Sequence, residues 1–195
     1  MKSERNDKSG RAIAPGCTLS RMKTMLQLCF AASLGCSLFA QTASNPLVSS
    51  EKGLYDFLVA NVVHAAEKMP EENYSFKPTP EVRSFGQIAA HAADANFMFC
   101  SIAIGEKNPS PGVEKTKTSK ADIVQGLNDA VAYCNKAFDG LTDAKAAEMV
   151  KLFGHDLTRL SVMSLNSAHA DEHYGNMVTY MRIKGLVPPS SEHNK

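Results

Sequence analysis

The sequence predicts an all-α fold, a four-helix bundle. Apolar residues recur at helical spacing in four segments, and capping or breaking residues bound each one. Sustained two-residue alternation is almost absent, so strand signals are few. At 195 residues and 44% hydrophobic content, the chain holds one such domain plus a leading segment.

That leading segment is residues 1–40. Residues 1–21 are polar and basic, without periodicity. From Met22 the chain reads Met-Lys-Thr, then an apolar run from Met25 to the small residue Ala40, which is the pattern of a secretory signal peptide. Met22 then reads as the true start, and cleavage after Ala40 leaves a mature domain, 41–195, that begins near Gln41. The run is too short and interrupted for a membrane span. A lipoprotein anchored at Cys36 fits less well, because Ser33 stands where an aliphatic residue is usual. The competing reading is a cytosolic protein with a disordered or buried N-terminal segment.

The first helix is expected from about Ser50 to Met69, with Leu54, Phe57, Leu58, Asn61, Val62, Ala65 and Met69 as its apolar stripe and Pro70 ending it. Pro78 and Pro80 force the next linker to be extended. Ser84-Phe85-Gly86-Gln87 is a capping box that opens the second helix. Its stripe is Ile88, His91, Ala92, Ala95, Phe99 and Ile102, and Gly105 stops it. Residues 106–118, with Pro109, Pro111 and Gly112, form a loop long enough for a lid or a crossover.

Ser119 caps the third helix, whose stripe is Ile123, Leu127, Val131, Cys134 and Phe138. A helical turn is expected over Thr142–Lys151. The fourth helix starts near Asp156 or Thr158 and reaches Lys184, with Gly185, Pro188 and Pro189 beyond its end. Its stripe reads Val162, Leu165, His169, His173, Asn176, Met177 and Tyr180. Four stripes of this kind bury enough core that folding needs neither disulfide nor metal.

Three of the five cysteines, Cys17, Cys29 and Cys36, fall in the leading segment. Cys134 lies on its stripe and Cys100 points away from its own, so the expectation is two free thiols, one buried and one at the surface. The leading segment also holds six of the 21 Lys/Arg and two of the 20 Asp/Glu, which leaves the mature domain mildly acidic. With no basic patch and interleaved aromatics, a nucleic-acid partner is not expected.

The histidines carry the chemistry. His169 and His173, at i and i+4, lie about 40° apart around one helix and can chelate one ion. His91, from a facing stripe, would be a third ligand and leave a position open for water or substrate. Three neutral imidazoles on core stripes otherwise need hydrogen-bond partners, and burying them unpaired costs roughly several kcal/mol. Spacing alone does not choose between a metal site and three hydrogen-bonded core histidines. His64 reads as the edge of the core, His155 as part of a turn and His193 as exposed tail.

His169-Ala170-Asp171-Glu172-His173 also matches the inverted zinc-peptidase pattern His-x-x-Glu-His. That pattern needs a glutamate ligand far downstream, and only 22 residues follow His173. The match is read as coincidence. Glu172 remains a candidate for bonding a ligand ring from outside, and Asp171 reads as solvated.

The stretch Ala168-His169-Ala170-Asp171-Glu172-His173-Tyr174-Gly175-Asn176, followed by Tyr180-Met181-Arg182 and Gly185-Leu186-Val187-Pro188-Pro189, resembles the last helix of DinB-like proteins. Ser84-Phe85-Gly86-Gln87-Ile88-Ala89-Ala90-His91 is similar to their second helix. The resemblance spans about residues 50–190. It implies an up-down-down-up four-helix bundle, often a homodimer, that holds a divalent metal, usually nickel or zinc, through three histidines. Those map onto His91, His169 and His173. Relatives include thiol-dependent transferases and isomerases that activate a low-molecular-weight thiol on the metal. Two departures stand out: Asn176, where glutamine is commoner, and the signal-peptide pattern, since an exported protein does not meet concentrated cytosolic thiols.

The expected function is therefore a metal-dependent enzyme acting on a small molecule, with a thiol or water as nucleophile. Glu172 and Tyr174 are the candidates for proton handling. The contrasting expectation is a non-catalytic, exported metal-binding or stress-associated bundle.

Overall fold

A computed structural model describes residues 45–194. The signal-peptide pattern, Met22, Ala40, Cys17, Cys29 and Cys36 lie outside the described residues, as does the His193 side chain. Four long helices form the frame: α1 (Pro46–Lys68), α2 (Phe85–Ile104), α4 (Lys120–Asp139) and α6 (Arg159–Ile183). Two short helices, α3 (Val113–Thr116) and α5 (Asp143–Ala146), interrupt the linkers, and β1 (Met149–Leu152) pairs antiparallel with β2 (His155–Thr158).

Contacts between side chains fix the helix directions. Glu51, near the start of α1, accepts from Ser164 and Ser167 near the start of α6, and Lys68 at the far end of α1 pairs with Glu192 beyond α6. These two helices run parallel. Gly86 lies against Ile123 and Cys100 is bonded to Cys134, so α2 and α4 also run parallel. Lys120 donates to the Glu67 carbonyl while Tyr55 packs on Phe138, which sets α1 against α4 in the opposite sense. The bundle is up-down-down-up, with α6 packed between α1 and α2 and α2 between α6 and α4.

The caps read from the sequence form as expected. Ser84 accepts from the Gln87 amide while the Gln87 side chain accepts from the Ser84 amide, and Gly105 ends α2 at φ 77°. Ser119 accepts from the Asp122 amide and Thr158 from the Ser161 amide. The start of α1 differs from expectation, at Pro46 instead of Ser50. Its first amides, on Leu47 and Val48, donate to the carboxylate of Asp143, so a residue 95 positions away performs the capping.

The α1 stripe is rotated from the one expected. The buried residues are Val48, Tyr55, Val59, Val62, Ala65 and Ala66, whereas Leu54 and Phe57 are exposed. This helix is apolar on two sides, and Tyr55–Val59–Val62–Ala66 is an equally good helical series. Tyr55 turns inward because its hydroxyl has a buried acceptor, Asn96 Oδ1, at 2.7 Å. On α6, Leu165 and Asn176 are exposed for the same reason: the helix touches two neighbours, so its buried surface is broader than one stripe and centred elsewhere.

Two further expectations fail. Cys100 and Cys134 form a disulfide, with Cα atoms 5.4 Å apart. Cys100 faces away from the α2 stripe, but α2 is central and nearly encircled, so its back packs on α4 where Cys134 lies. The expected helical turn over Thr142–Lys151 ends at Ala146, and a hairpin follows. Phe153 and Gly154 make its turn, both at positive φ (50° and 86°). That is the chemistry Asn-Gly usually supplies. Strands of four residues are too short to show a period. Among the described residues no helix is long and apolar enough to cross a membrane.

Candidate metal centre

The antiparallel pairing of α2 and α6 brings the three histidines together. His91 lies in the second turn of α2, and His169 and His173 lie mid-way along α6. Each ring offers one nitrogen, and these atoms all lie within 4.8 Å of one another. His169 Nε2 and His173 Nε2 are 3.1 Å apart, and the ring of His91 lies 5.2 Å and 4.9 Å, centroid to centroid, from the other two.

The donor set fits a divalent ion. Two nitrogens bound to one tetrahedral ion at about 2.0–2.1 Å stand roughly 3.3 Å apart, close to the observed Nε2 pair. Ligand imidazoles must also be neutral. Burial first, then the neighbouring histidines, push His173 down to about 4 and hold His169 below the ordinary range. Both favour the neutral ring.

The outer nitrogens have partners too. His91 Nδ1 lies 3.2 Å from Glu114 Oε2, leaving Nε2 for the centre. His173 Nδ1 faces the Asn176 amide at 3.5 Å. Turned end for end, that amide offers its oxygen to an Nδ1–H, the tautomer that coordination through Nε2 requires. Phe99 stands beside His169, with ring centroids 5.7 Å apart, and Phe153 at the hairpin tip stands beside Phe99 at 6.5 Å. A cavity of about 300 Å3 adjoins His173, lined also by Arg83, Ile88, Glu172, Asn176 and Tyr180. A larger one, about 370 Å3, is lined by Tyr74, Gln87, Glu114 and Lys117 and by none of the three histidines.

The other sequence candidates separate on position. Glu172 is exposed on the wall of the cavity beside His173. Tyr174 is buried, and its hydroxyl donates to Ser190 Oγ at 2.7 Å and accepts from the Ser190 amide at 2.9 Å, tying the chain after α6 to the bundle. Asp171 is exposed, as expected. His64 is exposed instead of lining the core, and His155 opens β2 opposite Leu152. Sequence reasoning missed Glu114, which faces His91, and Arg83 and Asp94, which bond Glu114 through its side chain and its amide. The only signal available was Asp94 itself, an acid three residues after His91 on the same helix.

Residues 54–177 match the family described as the DinB superfamily. The chain belongs to that family. The uncharacterized protein YjoA of Bacillus subtilis (strain 168) is 24% identical over 123 residues, which is 62% of this chain and 79% of that protein. The crystal structure of a DinB-like protein from Bacillus cereus has a TM-score of 0.66 at 18% identity, covering 72% of this chain and 95% of the other. The crystal structure of the B. subtilis DinB-like protein YjoA has a TM-score of 0.60 at 22% identity, covering 73% and 94%. At these identities the structural likeness establishes the fold. Within that fold, the three-histidine group of this DinB superfamily member can hold a metal ion.

Proposed function

We propose that this domain is a divalent-metal-dependent enzyme in which His91, His169 and His173 hold zinc or nickel beside a cavity that admits a thiol or water. Thiol-dependent group transfer is the form we favour, with hydrolysis next. The observation that carries this reading is the pair of Nε2 atoms 3.1 Å apart, next to a cavity of about 300 Å3. A bound divalent ion would lower the pKa of a coordinated thiol or water and make it nucleophilic near neutral pH. Imidazole suits zinc and nickel alike, so the ligand set does not select between them.

The chain's own residues divide the remaining work. His169 and His173 stay neutral and ready to ligate. Phe99 keeps one side of the centre apolar. Of the two proton-handling candidates, Glu172 shares the cavity with His173, whereas the Tyr174 hydroxyl is engaged by Ser190. We further propose that the domain is exported: disulfides persist in oxidising compartments, and the Cys100–Cys134 bridge agrees with the signal-peptide pattern before Ala40. An exported enzyme would draw on thiols outside the cytosolic pool.

The test is cobalt substitution followed by titration with azide and with 2-mercaptoethanol. An open centre changes its visible bands with either, and His91→Ala abolishes the response. A spectrum indifferent to both ligands sinks the enzyme reading. It would leave a non-catalytic metal-binding bundle. A purified domain without stoichiometric metal would argue against both.

A further inference from the structure

The linker between α2 and α4 is fastened at several points, and each leads to His91. Asp94, three residues after His91 on α2, accepts from the amides of Gly112, Val113 and Glu114 at 2.8, 2.6 and 2.9 Å. One carboxylate thus satisfies three amides at the start of α3 that would otherwise have no partner. Gly112 takes φ 95°, a left-handed conformation natural to glycine, which lets the chain turn onto that carboxylate. Val113 is buried against Gly126 of α4, where a Cβ would stand 3.0 Å from its Cγ1. The next residue is Glu114.

So placed, Glu114 uses both carboxylate oxygens. Oε1 accepts from Arg83 Nε at 2.8 Å, and Oε2 stands 3.2 Å from His91 Nδ1. Arg83 is itself anchored, because the Tyr180 hydroxyl on α6 donates to its carbonyl at 2.8 Å. The plane of the carboxylate is therefore set by two partners, and it is the group that addresses the outer nitrogen of His91. An acceptor at Nδ1 keeps the proton there and leaves the Nε2 lone pair facing His169 and His173.

We infer that Glu114 is the positioning residue for His91, and that the 106–118 linker is a fixed strap whose task is to deliver that carboxylate. Without it the His91 ring can rotate and change tautomer, and the three-nitrogen set is preformed only in part. The coupling reaches residues that touch no histidine: Asp94 and Gly126 set the position of Glu114 and so tune the centre from outside it. The inference rests on the metal-binding reading for its effect on affinity, but the ordering of His91 stands apart from it.

Two measurements on the full mature domain test this. Nitrogen-15 NMR of the metal-free protein reads the His91 tautomer: the wild type is expected to carry its proton on Nδ1, and Glu114→Ala to lose that preference. Zinc affinity, read by competition with a chromophoric chelator, is expected to fall about 10- to 100-fold in Glu114→Ala. Glu114→Gln keeps an acceptor oxygen and should recover much of that loss, and Asp94→Ala should weaken binding in the same direction. Circular dichroism of each metal-free variant checks that the bundle has folded. A Glu114→Ala protein that keeps the Nδ1–H tautomer, or that binds zinc within twofold of wild type, overturns the inference. A wild type that binds no zinc would instead sink the metal reading, while the tautomer measurement still decides the role of Glu114.

Discussion

At His173 the two ring nitrogens have different neighbours, and that division explains how a buried histidine is tolerated. The residue is 7% exposed, with Nε2 facing His169 and Nδ1 facing Asn176. Its removal should be severe for the centre and mild for the fold. His173→Ala is expected to cut zinc or nickel affinity by more than the roughly 10–100-fold typical of losing a partner outside the ligand set, with helical content unchanged. Isothermal titration and circular dichroism read the two effects separately. The same histidine makes stability depend on pH. Its folded pKa is about 4, below the ordinary value of 6.5, so the unfolded chain takes up a proton first as pH falls. The contribution is intact above about 6.5 and is lost progressively as pH drops to about 4, with His169 acting in the same direction. Urea unfolding of the metal-free domain between pH 7.5 and 4 should show this slope, and His173→Gln should flatten it.

Among the elements, α2 carries the most constraint. It gives His91 to the centre, Asp94 to the strap, Asn96 to a buried polar cluster and Cys100 to the disulfide. In that cluster Tyr55 and Asn166 both donate to Asn96 Oδ1, at 2.7 and 3.0 Å, which ties α1 and α6 to α2 beside the disulfide. The bridge joins α2 to α4, parallel neighbours whose connection must run the length of the bundle. Reduction, or Cys100→Ala with Cys134→Ala, is expected to cost about 2–4 kcal/mol. Urea unfolding with and without reductant measures it. How far the elements were legible follows from what fixes their ends. Ser84, Ser119 and Thr158 cap their own helices, so α2, α4 and α6 were readable to within a residue or two. The start of α1 depends on Asp143, and the hairpin on a Phe-Gly turn, so neither had a local signal.

For the whole molecule, the fold and the centre are separable. Apolar clusters occupy both ends of the bundle: one includes Met69, Phe85, Leu127 and Met177, and the other includes Tyr55, Phe138, Leu152 and Val162. A folded domain without metal follows from that distribution. Metal loaded onto the centre and then stripped with a chelator is expected to lower the melting temperature by several degrees, by mass action on the native state, without loss of helical signal. Unfolding on chelation, followed by circular dichroism, would show instead that the ion is a structural requirement.

The four long helices, the caps at Ser84, Ser119 and Thr158, and the three histidines were legible in the sequence. Those depend on local rules: which side chains can cap, and which positions recur on one face. It also carried the family pattern that predicted the up-down-down-up order. Tertiary structure alone decided which of two apolar faces of α1 turns inward, that Cys100 meets Cys134, and that Glu114 reaches His91. Each of these is a contact between elements far apart in sequence, governed by how four helices share one interior. Periodicity fixes a residue's angle around its own helix, but it leaves open which neighbour fills the space at that angle.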